Sequence, residues 1–241
     1  MRTVFLADIH SNLEALLSTV NSIKKNNINK VIFLGDIIGY GADPNECIRI
    51  IKEISDIIVA GNHDWACAGK DTIESFNPRA KEAALWTRKV LTDQNRDFLL
   101  SLPLKEKTND AVYVHSTPYF PESWQYITTT TIAELCFESF AQQFCFMGHS
   151  HIPAIFILNI NGSISEGSGK INITKRSRYI INCGSVGQPR DENPLASYGI
   201  YDSEKEIYQL IRVEYDIKKT QKKIIKAGLP TYLAKRLELG R

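Results

Sequence analysis

"TVFLADIHSNLEALLSTVNSIKKNNINKVIFLGD" (residues 3–36) decides the fold. It opens on an apolar, β-branched run, passes through apolar residues at helical spacing, and closes on a second apolar run. Continuous apolar runs of this kind suit strands buried on both faces, and hence parallel pairing. A second helical stretch follows, "PNECIRIIKEI" (44–54), with Pro44 in its first turn, then the run "IIVAG" (57–61). The chain therefore begins βαβαβ. Asn12, just ahead of the first helical stretch, is placed to cap it.

Outward from that start, helices are expected over "RAKEAALWTRKVLT" (79–92) and "DQNRDFLLSL" (93–102). Strands are expected at "DAVYVH" (110–115) and "FCFMGH" (144–149), with a helix near 130–142 between them. From residue 154 short strands alternate with polar turns: "AIFILNI", "KINITK", "RYIINCGS", "ASYGIYD" and "EIYQLIRVEY". These read as antiparallel hairpins, with "NGSISEGSGK" (161–170) as a single hairpin loop. The reading is one domain over 1–241, with a helical tail from Asp216 to Arg241 packed on it. That tail is basic, with eight Lys/Arg against two acids. It lacks the interleaved aromatics of a nucleic-acid surface, so it reads as an amphipathic helix pair and no nucleic-acid partner is expected.

The net charge of +2 also argues against a polyanion binder. No apolar run is long enough to span a bilayer, and the first residues read as a strand instead of a leader. The expected location is the cytoplasm, where the five scattered cysteines (47, 67, 136, 145 and 183) would be buried thiols.

The apolar runs share one feature: each ends in metal-ligand chemistry. "TVFLA" runs into Asp8 and His10, and "VIFLG" into Asp36. "IIVAG" runs into Asn62, His63 and Asp64, "AVYV" into His115, and "CFMG" into His149 and His151. Ligands of open α/β sheets bind at the carboxyl ends of strands. All five histidines of the chain fall at such ends. Asp8, His10, Asp36, Asn62, His115, His149 and His151 make seven nitrogen and oxygen donors. Seven is too many for one ion with an open position, and suits two ions sharing a carboxylate. Two residues along a strand advance about 6.6 Å, so His149 and His151 can serve different ions. The absence of thiolate donors favours Mn, Fe, Zn, Co or Ni.

The motifs "DIH" (8–10), "GDIIG" (35–39), "GNHD" (61–64), "VH" (114–115) and "GHSH" (148–151) resemble, in order, those of the calcineurin-like metallophosphoesterases. "NCGSVGQPRD" (182–191) and "AGLPTYLAKRL" (227–237) are similar to the single-domain bacterial and archaeal branch. The resemblance implies an α/β fold, a four-layer αββα sandwich of two mixed sheets of the metallo-dependent phosphatase-like type. It implies a dinuclear-metal phosphoric ester hydrolase, a phosphatase, acting on a small phosphoester through a water activated by the ions. By motif, Asp8, His10 and His151 would hold one metal, Asn62, His115 and His149 the other, and Asp36 would bridge. His63 would be the leaving-group acid, with Asp64 orienting it.

Ser/Thr protein phosphatases of this superfamily carry arginines within "GDxxDRG" and just before "GNHE". Here "GDIIGYG" and "VAGNHD" have neither, so protein-phosphatase specificity is not expected. Arg190 is the candidate phosphate-binding cation, the other reading being a structural arginine paired with Asp191 or Glu192. Tyr40 is a candidate cleft residue. A phosphodiesterase or dinucleoside-polyphosphate hydrolase is the alternative function, and a metal-free binding scaffold the remote one.

Overall fold

A computed structural model describes all residues, 1–241. Its strands are β1 (Arg2–Leu6), β2 (Lys30–Phe33), β3 (Ile57–Ile58), β4 (Lys105–Lys107), β5 (Ala111–Val114) and β6 (Phe144–Met147). They continue as β7 (Ala154–Leu158), β8 (Ile164–Gly167), β9 (Lys170–Asn172), β10 (Arg178–Asn182), β11 (Ala196–Asp202) and β12 (Ile207–Val213). The helices are α1 (Leu13–Lys24), α2 (Pro44–Ile54), α3 (Asn62–Ala68) and α4 (Pro78–Val90). Four more follow: α5 (Asp93–Ser101), α6 (Thr130–Phe137), α7 (Ile217–Lys226) and α8 (Thr231–Lys235).

The strands form two six-stranded mixed sheets, ordered β3-β2-β1-β11-β12-β9 and β4-β5-β6-β10-β7-β8. The first three strands pair in parallel, as the opening stretch implies. Alternation along β1 sorts its side chains by layer. Val4 and Leu6 join a cluster with Leu16 of α1 and Ile48 and Ile51 of α2, while Phe5 turns the other way. Between the sheets Phe5 stacks on Phe146, ring centroids 3.6 Å apart. Burying a side chain of that size contributes about 1.5–3 kcal/mol. The outer face of the second sheet is covered by α6 through Ala133, Cys136 and Phe137, which completes an αββα sandwich.

Two readings of the C-terminal half change. Residues 161–170 are not one loop: a turn at Gly162 leads into β8, an edge strand on β7, and Gly169 turns the chain into β9 of the other sheet. "SISEG" is polar on its outer face, so by composition it passes for a loop. Nor is every later strand antiparallel, since β10 pairs antiparallel to β7 but parallel to β6. The parallel contact joins elements some thirty residues apart, beyond the reach of a local pattern.

Asn12 caps α1 by accepting from the Ala15 amide at 3.1 Å. All five cysteines are buried free thiols. No helix is long and apolar enough to cross a membrane. The tail of α7, α8 and the turn 236–239 packs Ile224, Leu229, Leu233 and Leu237 against Tyr40 and against Ala80 and Ala83 of α4.

Candidate metal centre

The carboxyl ends of β1, β2, β5 and β6 and the start of α3 meet at one end of the sandwich. Asp8, His10, Asp36, His63, His115, His149 and His151 converge there, and every one is buried. Their donor atoms make three groups, within each of which the atoms lie inside 4.8 Å of one another. The groups are Asp8/His10/His151, His10/Asp36/His63 and Asp36/His115/His149.

The backbone bends sharply to achieve this. Asp8, His10, Asp36, His149 and His151 all have φ between +49° and +71°, in the left-handed region. Such residues persist where the surrounding fold over-determines them, and they cluster at functional sites. "GHSH" is therefore not extended: β6 stops at Met147, and His149 and His151 lie in a turn. They still diverge. His149 Nδ1 meets His115 Nε2 at 3.1 Å, and His151 Nε2 meets His10 Nε2 at 3.0 Å. A glycine is required at residue 61, where a Cβ would collide with the Asp36 carboxylate.

Proton positions follow from the partners on the far side of each ring. A carbonyl only accepts, so the ring nitrogen facing it carries the hydrogen. His10 Nδ1 donates to Ile38 O at 3.0 Å, His115 Nδ1 to Leu34 O at 2.7 Å and His151 Nδ1 to Gln188 O at 2.6 Å. His149 donates through Nε2 to Trp124 O at 2.8 Å. Between His10 and His151, both neutral, two lone pairs therefore face each other, whereas His115, charged beside Asp36, can donate to the His149 lone pair while no metal is bound. Facing lone pairs repel unless a cation lies between them. This pattern of carbonyl-anchored imidazoles is the one found around protein-bound metals.

The oxygens fit the same reading. Asp36 Oδ2 lies 3.3 Å from His115 Nε2 and 3.6 Å from His10 Nε2, within reach of both halves. Asp8 Oδ1 is 3.4 Å from His151 Nε2, and its carboxylate is held by the His149 amide at 3.0 Å. Asn62 Oδ1 is buried with no hydrogen-bond partner, an acceptor short of a positive group. The chain thus presents a donor set that fits divalent cations.

Burial governs the electrostatics. It pushes the Asp8 carboxyl up to about 8, with the His115 charge opposing and the Asp36 charge assisting. Burial also acts on Asp36, but the charges of His115 and His63 outweigh it and hold Asp36 below the usual carboxylate range. Burial opposes charging of His115, yet Asp36 lifts it to about 9. Burial lowers His10 and His151 well below the usual value, His63 to about 4 and His149 to about 3. At every histidine but His115 the pocket disfavours imidazolium and keeps nitrogen lone pairs available.

Of the outer residues, one differs from expectation. Asp64 does not orient the His63 ring. Its oxygens accept from the amides of Asp36 (2.8 Å), Ile37 (2.9 Å), Ile38 (3.2 Å) and Gly61 (3.0 Å). As the third residue of α3 its side chain turns back on the helix start, and so it clamps the loop carrying Asp36. His63 Nδ1 has no partner, and its ring packs between Tyr40 and Phe76 at 4.5 Å from each. Arg190 is not paired with Asp191 or Glu192. It donates to Gln188 Oε1, while Asp191 binds Arg212 and Glu192 binds Arg241. Arg190 stands 5.9 Å over the Tyr40 ring, which in turn lies 4.7 Å from His10. Arg190 and Tyr40 thus border the cluster.

The sequence reading overlooked the loop 118–129. Tyr126 stacks on His149 with centroids 4.2 Å apart, and Trp124 supplies the carbonyl that fixes the ring. The one available signal was two aromatics in "PESWQYITT", a stretch without strand or helix periodicity.

Comparison with known proteins agrees with this geometry. The calcineurin-like phosphoesterase superfamily domain matches residues 1–206. An uncharacterized protein of Methanocaldococcus jannaschii is 43% identical over 240 residues, spanning 98% of this chain and 97% of that one. A metallophosphoesterase from Sphaerobacter thermophilus superposes with a TM-score of 0.87 at 37% identity, over 100% of this chain and 99% of its own. A hypothetical protein from Pyrococcus horikoshii shares the fold with a TM-score of 0.81 at 21% identity, over 100% and 98% of the two chains. With a domain match over most of its length and relatives at 43% and 37% identity that it covers end to end, the chain belongs to the calcineurin-like phosphoesterase superfamily.

Proposed function

We propose that the protein is a dinuclear-metal-dependent phosphoric ester hydrolase acting as a phosphatase on small phosphoesters. The observation that carries this reading is the two close imidazole contacts, His10 against His151 and His115 against His149, with Asp36 within reach of both halves. Asp8, His10 and His151 would hold one ion, Asn62, His115 and His149 the other, and Asp36 would be shared. The ions, when bound, supply Lewis acidity toward the phosphoryl oxygens and make a water nucleophilic near neutral pH. Manganese, iron, zinc, cobalt and nickel all suit the donor set.

The chain's own groups do the rest. The Asp64 clamp and the four carbonyl-anchored rings fix the donors before substrate arrives, so little reorganisation is needed during the reaction. His63, whose ring lies beside Asp36 and His10, is neutral in the free site; the negative charge of a bound phosphoester, added to that of Asp36, would favour its protonated form, which then gives its proton to the departing alkoxide oxygen. The P–O bond to water forms as the P–O bond to the alkoxide breaks. Arg190 binds a non-bridging phosphate oxygen, and Tyr40 lines that side of the cleft. Five buried thiols agree with a reducing compartment, and the cytoplasm is the proposed location.

The test is metal analysis of the purified protein, then assay of chelator-treated protein on a phosphomonoester and phosphodiester panel with each ion restored singly. Two ions per chain and restored monoester hydrolysis support the reading. A protein that takes up fewer than two of any offered ion, or hydrolyses only diesters, would overturn it.

A further inference from the structure

The four carbonyls that anchor the metal-centre imidazoles are not equally placed. Leu34, Ile38 and Gln188 are buried, so the rings of His115, His10 and His151 lean on the protein's interior. His149 leans instead on Trp124, half-buried in the irregular loop 118–129. Trp124 has φ +52°, and a bulky residue with positive φ is an outlier that persists only where its surroundings over-determine it. Phe120, at the other end of the short turn Pro121–Ser123, is bent the same way at φ +43°.

What holds Trp124 is its side chain. The indole N–H donates to Asp71 Oδ2 at 2.7 Å, a bond strengthened by the charge of its acceptor. The ring meets Trp65 edge-on at 5.9 Å and His115 at 6.1 Å. Asp71 is fixed in its turn. Its Oδ1 accepts from the Thr72 amide at 2.7 Å, and its own amide donates to Trp65 O at 3.4 Å, where Gly69 ends α3 in a left-handed turn. Apart from the His149 bond, the loop's other hydrogen bonds to neighbouring segments stay near β4 and β5. They run from Lys105, Ser116 and Thr117 to the oxygens of Pro118, Pro121 and Tyr119. Only the Trp124 indole crosses to the side of α3, the helix that begins at Asn62.

We propose that Asp71 is a positioning residue of the metal centre: by holding the Trp124 indole it fixes the carbonyl that orients His149, and so sets the strength of the ion at Asn62, His115 and His149. The ion at Asp8, His10 and His151 does not depend on it, because the anchors there, Ile38 and Gln188, lie outside the loop. This rests on the two-ion reading of the site. The outer partner of a ligating imidazole fixes both the turn of the ring and the nitrogen that carries the hydrogen, and losing such partners weakens metal binding about 10–100-fold. Tyr126, two residues beyond Trp124, stacks on the same ring at 4.2 Å, so a loop freed of its indole bond moves two supports of His149 together.

The experiment dialyses zinc-loaded protein against buffers of graded free zinc and counts the ions each chain keeps. Wild type is compared with Asp71→Ala, Asp71→Asn, Trp124→Phe and the Asp71→Ala/Trp124→Phe double variant. Asp71→Ala and Trp124→Phe should each need about tenfold more free zinc to keep one ion, with the other held as in wild type. Asp71→Asn keeps an oxygen acceptor and should recover part of the loss, and the double variant should be no weaker than either single one. Proton NMR of the same loaded proteins follows the His149 Nε2–H, which should be visible in wild type and broadened by exchange with water in the Ala and Phe variants. Unchanged zinc retention in both variants, or equal weakening of both ions, would overturn the proposal. Were the wild type to hold fewer than two ions, the two-ion reading would fall alone. The NMR signal then decides, and its persistence in both variants would remove the role of Asp71.

Discussion

In the strand-end cradle every donor is buried and nearly every one is tied to a main-chain group, whereas the C-terminal tail holds on through a few apolar side chains, two lysines and the Thr220 hydroxyl. The cradle's imidazoles rest on the carbonyls of Leu34, Ile38, Trp124 and Gln188, and Asp64 binds four amides. The tail instead buries Leu229, Leu233 and Leu237 and bridges Lys223 to Glu14 and Asp43, both at 2.8 Å. The difference sets a cradle anchored on the main chain against a tail docked by its side chains.

The sharpest way to break this division is Asp36→Asn. Removing the shared carboxylate should cost more than about 10³-fold in kcat/KM, beyond the effect of one lost transition-state donor. Metal analysis should show fewer ions per chain. Full activity with two ions would mean that the cradle does not work through Asp36.

His63→Ala comes next, with an expected loss of about 10²–10⁴-fold on an alkyl phosphate, the usual contribution of general acid help. p-Nitrophenyl phosphate, whose leaving group needs no proton, should lose far less, with metal content intact. Equal losses on the two substrates would remove the acid role.

For the tail, Leu233→Ala should cost about 2–5 kcal/mol in urea unfolding, since the side chain is 1% exposed. Metal content should stay at the wild-type level. Loss of ions together with stability would show the two regions to be one unit.

The smallest effect concerns pH. Burial would raise the Glu14 pKa, but the hydrogen bond and charge of Lys223 outweigh it, so it is lowered. A lowered folded-state value means that Glu14's contribution is complete above its unfolded pKa of about 4.3 and is lost as pH falls through the folded value. Asp43 shifts upward, chiefly by burial, and opposes this in part. Protease cleavage within 216–241 should therefore rise as pH drops below about 4, and Glu14→Gln should flatten that rise. Its cost at neutral pH is about 1 kcal/mol or less, because Lys223 is partly exposed.

Much of the sandwich was legible because hydrophobic periods report strands directly, and the donors stood out because each ends an apolar run. Asp64 misled because neighbours in sequence suggested neighbours in space; on a helix start the third residue turns away from the second. The alternative reading of Arg190 fails for a similar reason: Asp191 and Glu192, its neighbours in sequence, are spoken for by Arg212 and Arg241.

The left-handed turns at Asp8, His10, Asp36, His149 and His151 carry a consequence for drift across generations. Each of these positions must bend the chain and present a donor with the same residue. Aspartate, asparagine and histidine are the types that tolerate such a bend more readily than other side chains, and they are also the donors this pocket uses. Glycine would keep the corner and drop the donor; glutamate would keep an oxygen and resist the corner. The alphabet open to these positions is narrow for a reason of backbone geometry, even before any selection on turnover is considered.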